Sequence, residues 1–425
     1  MTQTAKIFNG GLMKEIKRDN YLNKLIARKE NNLIKIITGI RRSGKSYLLD
    51  PIYKNYLLNS GVDKDHIIKI DLDLRINKKF LDPDYLDNYV RECIKDEKVY
   101  YCLLDEVQNV PDFESVLNGF LKIPNLDVYV TGSNSKFLSS DIITEFRGRG
   151  DEVRVYPLTF SEFLSAYDGT KEEAWNSYMM FGGLPLILSQ TTEEQKRNYL
   201  ISLFNTTYLK DTIERNNINR VDVLDSLINL LSSSIGSLTN PKKISNTFIS
   251  NGFKDVSINT ISSYLNYLQE SFIIEKVERY DVKGKKYIST PSKYYFSDIG
   301  LRNARINFRQ MEENHIMENI IYNELLTRGY NVDVGVVEVR EKNVRKQLEV
   351  DFVCNQSDKR FYIQVALNLD TREKTIQEEK SLLNIDDNFK KIIVVKDNII
   401  KWYTEEGILV IGLQEFLLDK NSLNL

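Results

Sequence analysis

The residues with the clearest chemical signature lie in segment 39–46, which reads GIRRSGKS and fits the pattern G-x-x-x-x-G-K-[ST]. Its glycines allow the backbone to curl so that N–H groups point at phosphate oxygens. Lys45 is expected to reach the β- and γ-phosphates of a nucleotide, and the Ser46 hydroxyl is expected to ligate Mg²⁺. Because an apolar stretch precedes the segment and an amphipathic one follows it, we predict a phosphate-binding loop between a strand and a helix.

A second chemical feature is the apolar run YYCLLDE at 100–106, which ends in two acids. Asp105 is expected to hold Mg²⁺ through water, and Glu106 is placed to polarise an attacking water as general base. Alone, such a run is a weak signal, because a strand often ends in solvated acids. Following the phosphate loop by about 60 residues, it favours nucleotide hydrolysis over nucleotide binding alone.

Other polar groups could complete this site. The next apolar run ends in TGSN at 131–134, where Asn134 could touch the γ-phosphate or the attacking water, or could simply cap the following helix. Arg147 and Arg149 are candidates to neutralise transition-state charge, either in the same chain or in a neighbouring subunit. A solvated basic loop is the alternative for both arginines.

The candidate residues fall into three sets. The candidate catalytic residues are Lys45, Glu106 and Arg149, and the candidate metal ligands are Ser46 and Asp105. The residues expected to contact the nucleotide are Gly39, Ile40, Arg41, Arg42, Ser43, Gly44, Lys45, Ser46, Tyr47 and Asn134.

The pattern around these residues predicts an α/β fold with a parallel sheet. Near-continuous apolar runs suit strands that are covered on both faces, and here they alternate with amphipathic stretches. The predicted strands are 33–39, 66–72, 99–105 and 126–132. The predicted helices between them are 45–58, 83–97 and 112–122.

Composition excludes several classes of protein. The chain has 425 residues, 42% of them hydrophobic and 28% charged, which indicates a globular protein of two to four domains. It contains no apolar run long enough to cross a bilayer, and its net charge of -2 gives no global attraction to nucleic acid. Its three cysteines have no paired spacing and no secretory signal is recognisable, so a cytoplasmic protein without disulfides is expected.

Several motifs together resemble the prokaryotic AAA-like ATPases that carry a nuclease-like C-terminal domain. The segments that carry the resemblance are GIRRSGKS, LLDEVQ, VTGSN, GRGDEVRVYPLTFSEF, FGGLP and YLKDTIER. The resemblance implies ATP as the nucleotide, and Arg149 matches the family's recurrent Gly-Arg better than Arg147 does. It also implies an AAA-like P-loop ATPase core at 1–165, a helical lid at 166–220, a winged helix-turn-helix at 221–300 and a restriction-endonuclease-like domain at 301–425.

A local basic excess marks a candidate DNA-binding segment. Residues 240–293 carry nine Lys or Arg residues against five Asp or Glu residues. Segment 257–271 reads as a helix with a polar face and an apolar face, the latter formed by Ile258, Ile261, Tyr264, Leu265 and Leu268. Two extended stretches around a Lys-rich turn at 283–286 follow it. This pattern is typical of a helix-turn-helix with a wing, so 257–293 could contact DNA. An inter-domain adaptor with a solvated Lys-rich hairpin is the alternative, since winged helices often serve as protein contacts. Further candidate partners are a second copy of the chain, in a homo-oligomer, and another protein.

The C-terminal part resembles the PD-(D/E)xK nuclease fold but lacks part of its chemistry. Asp351 matches the first acid, whereas Gln364 stands in place of the second acid and Ala366 in place of the lysine. Glutamine is a weak Mg²⁺ ligand, and alanine cannot position water. Glu318 and Glu324 could supply a helix acid or lie on a solvated face. We therefore expect a domain that no longer cleaves nucleic acid. Two alternatives remain for the whole protein. One is an ATP-regulated nuclease with a migrated catalytic residue, and the other is a nucleotide-gated switch with little turnover.

Overall fold

The computed structural model describes residues 16–132, 146, 148–309, 311–341 and 344–424. The chain divides into two compact units. One unit comprises the residues up to Pro157 together with Leu184–Thr191, and the other comprises Leu158–Gly183 and the residues from Thr192 onward. Among the helices in the described ranges, none has the length and apolar character that crossing a membrane requires.

The first unit is built on a five-stranded parallel sheet. In spatial order the strands run β2-β3-β4-β1-β5. Their bounds are β1 (Ile34–Thr38), β2 (Ile67–Asp71), β3 (Tyr100–Asp105), β4 (Leu126–Thr131) and β5 (Gly150–Arg154). The four predicted strands and the parallel sheet are confirmed. The strand β5 was not predicted, because its GDEVR sequence is mostly charged and lacks an apolar run.

Side chains from both faces of this sheet are buried, as the near-continuous apolar runs predicted. Ile36, Cys102 and Val130 contribute to a core on one face, and Ile37 and Leu103 contribute to a core on the other face. The covering helices are Asp19–Ile26, Lys45–Tyr47, Lys54–Asn59, Pro83–Cys93 and Phe113–Phe120. Short 3₁₀ turns lie at Lys64–His66, Arg75–Leu81, Val107–Asn109 and Pro185–Ser189.

The predicted helix 45–58 is interrupted in the structure. A wider π-type turn at Leu48–Tyr53 separates Lys45–Tyr47 from Lys54–Asn59, and Asp50 has non-helical backbone angles of φ -142° and ψ 115°. Pro51 explains the interruption, because proline lacks an N–H donor and disfavours helical angles in the residue before it.

The second unit contains a mixed sheet of eight strands. Its spatial order is β12-β13-β11-β10-β9-β8-β6-β7. The bounds are β6 (Ile274–Asp281), β7 (Lys286–Phe296), β8 (Asn331–Glu341), β9 (Val344–Gln356), β10 (Lys359–Ala366), β11 (Lys390–Val395), β12 (Trp402–Tyr403) and β13 (Leu409–Gly412). The hairpin β6–β7 joins this sheet through parallel pairing of β6 with β8. One sheet therefore extends across residue 300, where a domain boundary was predicted.

Helices make up the rest of the second unit. Their bounds are Phe160–Ala166, Lys171–Phe181, Glu193–Leu203, Lys210–Arg215, Val221–Ser233, Pro241–Ser250, Ile258–Glu270, Ile299–Arg305, Glu313–Thr327, Arg372–Leu383 and Leu413–Leu418, with a π-type turn at Phe204–Leu209. Helix Ile258–Glu270 packs against Pro241–Ser250 and buries Ile261 and Leu265, as its periodicity predicted. Ile258, which was expected on the same buried face, is exposed in the first turn of the helix.

Two of the motifs that carry the family resemblance meet in this unit. The Leu158 N–H of PLTFSEF donates to the Gly183 carbonyl of FGGLP at 2.7 Å. A Cβ on Gly183 would collide with the Leu158 carbonyl oxygen, and one on Gly182, whose φ is +73°, would collide with the Asp298 carboxyl group. These glycines are therefore required by close backbone approach. The two motifs form a structural joint.

Candidate functional site

The segment 39–46 forms a tight loop between β1 and helix Lys45–Tyr47, as predicted. Gly39 has a φ of +130°, and a Cβ at this position would collide with the Val155 carbonyl oxygen. Gly44 has a φ of +96° immediately before the helix. Since residues with a Cβ rarely adopt such angles, the loop needs glycine at both positions.

Lys45 is buried at the base of this loop. Its Nζ donates to the carbonyl oxygens of Gly39 and Ile40 at 2.9 and 3.0 Å. Burial lowers the pKa of Lys45 to about 8, although the carboxylates of Glu106 and Asp105 act in the opposite direction. The loop thus encloses an ammonium group that is still mostly charged at neutral pH.

The other loop residues surround this ammonium. The Ser43 hydroxyl is buried and has no hydrogen-bond partner among the described residues. Ile40 is buried, Arg41 and Tyr47 are half-buried, and Arg42 is exposed with a φ of +64°. The buried Ser43 hydroxyl and the Lys45 ammonium are donors of the kind that an anion requires.

The two predicted metal ligands lie within hydrogen-bonding reach of each other. Burial raises the pKa of Asp105, and hydrogen bonds from the Thr131 and Ser46 side chains partly counter this effect. The Thr131 hydroxyl donates to Asp105 Oδ1 and accepts the Glu106 N–H at 2.9 Å. Thr131 therefore ties both acids to the end of β4.

Glu106 turns away from the strand direction directly after Asp105. Its backbone is left-handed, with a φ of 57°, and its Oε2 accepts a hydrogen bond from Gln108 Nε2. The sequence reasoning did not single out Gln108, nor the role of Thr131 in holding the acids. The segment after Glu106 reads VQNVPD, so no pattern in the sequence sets Gln108 apart from the neighbouring Asn109.

Arg149 does not lie with these residues. It stands at the amino end of β5, where its carbonyl accepts the Ile34 N–H at 2.9 Å and its guanidinium donates to Asn118 at 3.0 Å. The phosphate loop follows the carboxyl end of the neighbouring strand β1, which at about 3.3 Å per residue is about 16 Å away. The structure therefore does not bring Arg149 to the phosphate loop of its own chain, and the alternative of a neighbouring subunit stays a prediction. Asn134 and Arg147 lie outside the described residues.

Two of the three residues matched to the nuclease pattern, Asp351 and Gln364, lie in contact in the second unit. Asp351 Oδ2 accepts the Val365 N–H at 2.8 Å, and Gln364 Oε1 accepts the Asp351 N–H at 3.4 Å. Ala366 is buried. Of the two candidate helix acids, Glu318 lies near Asp351, whereas Glu324 pairs with Arg328 at 2.7 Å.

An unpredicted cation occupies the centre of this group. Lys293 of β7 is 4% exposed, and its Nζ lies 2.7 Å from Glu318, 2.8 Å from Glu349 and 3.8 Å from Asp351. Burial, together with Glu318, raises the pKa of Asp351 to about 8, although Lys293 opposes the rise. Within the part of the chain that the structure describes, no three His, Cys, Asp or Glu side chains are arranged to hold a metal ion. An ammonium group thus neutralises these carboxylates.

Three family models match successive segments of the chain. Residues 31–164 match an AAA domain, residues 172–312 match a domain of unknown function (DUF8612), and residues 313–416 match another (DUF4143). Among solved structures, the Aeropyrum pernix ORC1 protein in complex with DNA is 11% identical and has a TM-score of 0.29, covering 70% of this chain and 94% of that one. A similarity with so low a TM-score assigns neither fold nor function.

Two curated relatives match most of the chain. An uncharacterized protein of Methanocaldococcus jannaschii is 30% identical over 86% of this chain and 83% of its own length. An uncharacterized protein of Haemophilus influenzae is 34% identical over 95% of this chain and 98% of its own length. The chain therefore belongs to the same family as the Haemophilus influenzae protein, with an AAA domain at residues 31–164.

Proposed function

We propose that this protein is a Mg²⁺-dependent ATPase. One observation carries the proposal: Thr131 and Ser46 hold the acids at the end of β3 against a glycine-bent loop that encloses Lys45. A loop that only binds nucleotide needs no second carboxylate. A glutamate directly after the proposed metal-binding aspartate is placed to accept a proton from an attacking water.

The residues present suit both ATP and Mg²⁺. The Lys45 ammonium and the Ser43 hydroxyl, which has no partner in the part of the chain that the structure describes, are buried donors for phosphate oxygens. Ser46 and Asp105 supply the oxygen ligands that Mg²⁺ prefers. When bound, Mg²⁺ would neutralise the charge that develops on the phosphate oxygens.

In the reaction we propose, Glu106 takes one proton from a water molecule whose oxygen forms a bond to the γ-phosphorus. The bond between that phosphorus and the bridging oxygen breaks, and ADP leaves with the electron pair. Glu106 then releases its proton to the products or to solvent. Lys45 stabilises the charge on the phosphate oxygens throughout.

Arg149 fits a role in a neighbouring subunit, and this role is part of the proposal. It is exposed, and its partner Asn118 is a neutral side chain that an incoming phosphate could replace. A homo-oligomer in which Arg149 reaches the phosphate loop of the next copy would complete the site. Such an assembly would make turnover depend on protein concentration.

We also propose that the protein is located in the cytoplasm.

DNA is the partner that we propose for the second unit. The turn between β6 and β7 exposes Lys283, Lys285 and Lys286, which suit phosphate contact. Asn259 and Asn266 are exposed on helix Ile258–Glu270 and could reach base edges. We propose that ATP turnover changes the conformation of this unit and thereby its affinity for DNA.

We further propose that the C-terminal domain does not cleave nucleic acid. Lys293 is engaged by three carboxylates and is not free to position water, and Gln364 replaces an acid. Incubation of the purified protein with plasmid and linear DNA in Mg²⁺ or Mn²⁺ should give no cleavage. Cleavage that disappears in Asp351→Ala would overturn this part of the proposal.

The main test is phosphate release from ATP and from GTP, measured with a panel of single- and double-stranded DNA. The wild-type protein should release phosphate from ATP, and DNA should stimulate the release. Lys45→Ala should lose nucleotide binding and turnover together. Nucleotide binding without any phosphate release under all these conditions would instead indicate a nucleotide-gated switch.

A further inference from the structure

Gln108 is a buried polar residue, and only one of its two side-chain polar atoms has a hydrogen-bond partner among the described residues. It lies in the 3₁₀ turn Val107–Asn109, two residues after the proposed general base, and it is 8% exposed. The buried side chains of Val107 and Val110 anchor the turn on either side of it. Its position is therefore fixed by packing.

The two ends of the Gln108 amide have different surroundings. Its Nε2 donates to Glu106 Oε2, while its Oε1 is buried and has no hydrogen-bond partner among the described residues. A buried acceptor without a donor costs about 1–3 kcal/mol, so a side chain that served packing alone would be better replaced by an apolar one. The free oxygen points to a donor that arrives with the substrate.

We propose that Gln108 positions both Glu106 and the hydrolytic water, an inference that rests on the proposed ATPase function. The amide nitrogen holds the Glu106 carboxylate. The amide oxygen accepts one hydrogen of the water, while Glu106 accepts the other hydrogen and removes it as a proton. The oxygen lone pair is then directed at the γ-phosphorus, and the hydrogen held by Gln108 stays on the oxygen that becomes part of the released phosphate.

The variant Gln108→Met tests this role, because methionine keeps the length and volume of glutamine but makes neither hydrogen bond. Asn109→Ala is the matched control, since Asn109 lies in the same turn, is exposed, and donates only a long 3.5 Å hydrogen bond to the Leu72 carbonyl. Six quantities are measured for each protein. They are kcat and KM for ATP, the Kd of a fluorescent ATP analogue, the Kd values of the ADP complexes of beryllium fluoride and aluminium fluoride, and the midpoint of thermal unfolding.

For Gln108→Met we expect kcat to fall about 10- to 100-fold. KM and the Kd of the ATP analogue should stay within about 2-fold of the wild-type values, because water positioning matters only in the transition state. Affinity for the aluminium fluoride complex, which mimics the transition state, should fall about 10-fold or more. Affinity for the beryllium fluoride complex, which mimics bound ATP, should change little. The unfolding midpoint should not fall, because an unsatisfied acceptor has been removed.

Two results would overturn the inference while leaving the ATPase proposal intact. One is an unchanged kcat in Gln108→Met when the wild type hydrolyses ATP. The other is a kcat loss accompanied by equal losses of affinity for both fluoride complexes and by a lower unfolding midpoint, which would indicate a packing role. If the wild type shows no turnover at all, the proposed function fails first.

Discussion

At the scale of single residues, burial controls the charge of Lys45 and hence its capacity to hold phosphate. Its pKa is lowered to about 8 because the ammonium has lost most of its water, and the nearby carboxylates restore only part of this loss. Bound phosphate would add further negative charge and raise the pKa again. Nucleotide binding should therefore be linked to protonation of this side chain.

We predict that ATP affinity falls as pH rises above about 8, where the free protein must take up a proton on Lys45 in order to bind. By linkage, the Kd should increase by up to about 10-fold per pH unit until the pKa of the bound state is reached. Titration of a fluorescent ATP analogue between pH 7.5 and 9.5 measures this change in Kd. Over that range the terminal phosphate is already ionised, so its own titration does not contribute to the change. A Kd that is constant over this interval would contradict the lowered pKa.

The spacing of residues predicted the phosphate loop and the acid pair, because both are encoded in short continuous segments. The hydrogen bonds of Thr131 and Gln108 could not be predicted in the same way. They depend on the direction in which Glu106 leaves β3 and on where the neighbouring strand β4 ends. Arg149 shows the same limit, since only the strand pairing reveals that it lies at the opposite end of the sheet.

At the scale of elements, the joint between PLTFSEF and FGGLP depends on one buried carboxylate. Asp298 accepts the Gly183 N–H at 2.7 Å and the Leu301 N–H at 3.1 Å, and so caps helix Ile299–Arg305 while holding the glycine turn. Burial raises its pKa to about 6, although its hydrogen bonds to backbone N–H groups oppose the rise. One side chain thus fixes two segments that are distant in sequence.

We expect Asp298→Ala to lower the free energy of unfolding by about 2–4 kcal/mol, because it removes a helix cap and leaves the Gly183 N–H buried without an acceptor. Thr371→Ala is a matched control, since Thr371 caps helix Arg372–Leu383 at an exposed position, where about 1 kcal/mol is expected. Urea unfolding followed by circular dichroism measures both. Equal losses in the two variants would show that Asp298 is an ordinary cap.

Apolar periodicity predicted four of the five strands in the first unit and the helix Ile258–Glu270. It did not reveal β5, whose burial depends on pairing with β1 rather than on its own mostly charged sequence. It also predicted a continuous helix where Pro51 imposes a break. Local patterns therefore identify elements with a buried apolar face and miss those that are determined by long-range pairing.

At the scale of the whole chain, the hairpin β6–β7 belongs to the same sheet as the C-terminal strands, and Lys293 reinforces that connection. Its ammonium joins β7 to helix Glu313–Thr327 through Glu318 and to β9 through Glu349. Burial lowers the pKa of Lys293, but Glu318, Asp351 and Glu349 more than offset this and leave it raised. The hairpin that carries the proposed DNA-binding turn and the C-terminal strands thus share one ion-pair cluster.

We predict that Lys293→Met lowers the free energy of unfolding by about 3–5 kcal/mol, because the buried Glu318 and Asp351 and the partly exposed Glu349 lose their cation. The loss should be smaller at pH 5 than at pH 8, because Asp351, whose pKa is raised to about 8 by burial and by Glu318, is protonated at pH 5 and no longer repels the neighbouring carboxylates. Lys276→Met is the control, because Lys276 makes a partly exposed pair with Glu278 at 2.9 Å that is expected to contribute less than about 1 kcal/mol. Equal stability of the two variants would mean that the cluster does not connect the hairpin to the sheet.

The assignment of Glu106 as general base is tested most directly by comparing wild type with Glu106→Gln in a single experiment that records both bound nucleotide and released phosphate. The variant keeps the shape of the side chain and the P-loop donors, so ATP should remain bound, while phosphate release should fall by about two to four orders of magnitude. Phosphate release that is unchanged in Glu106→Gln would contradict the proposed ATPase mechanism.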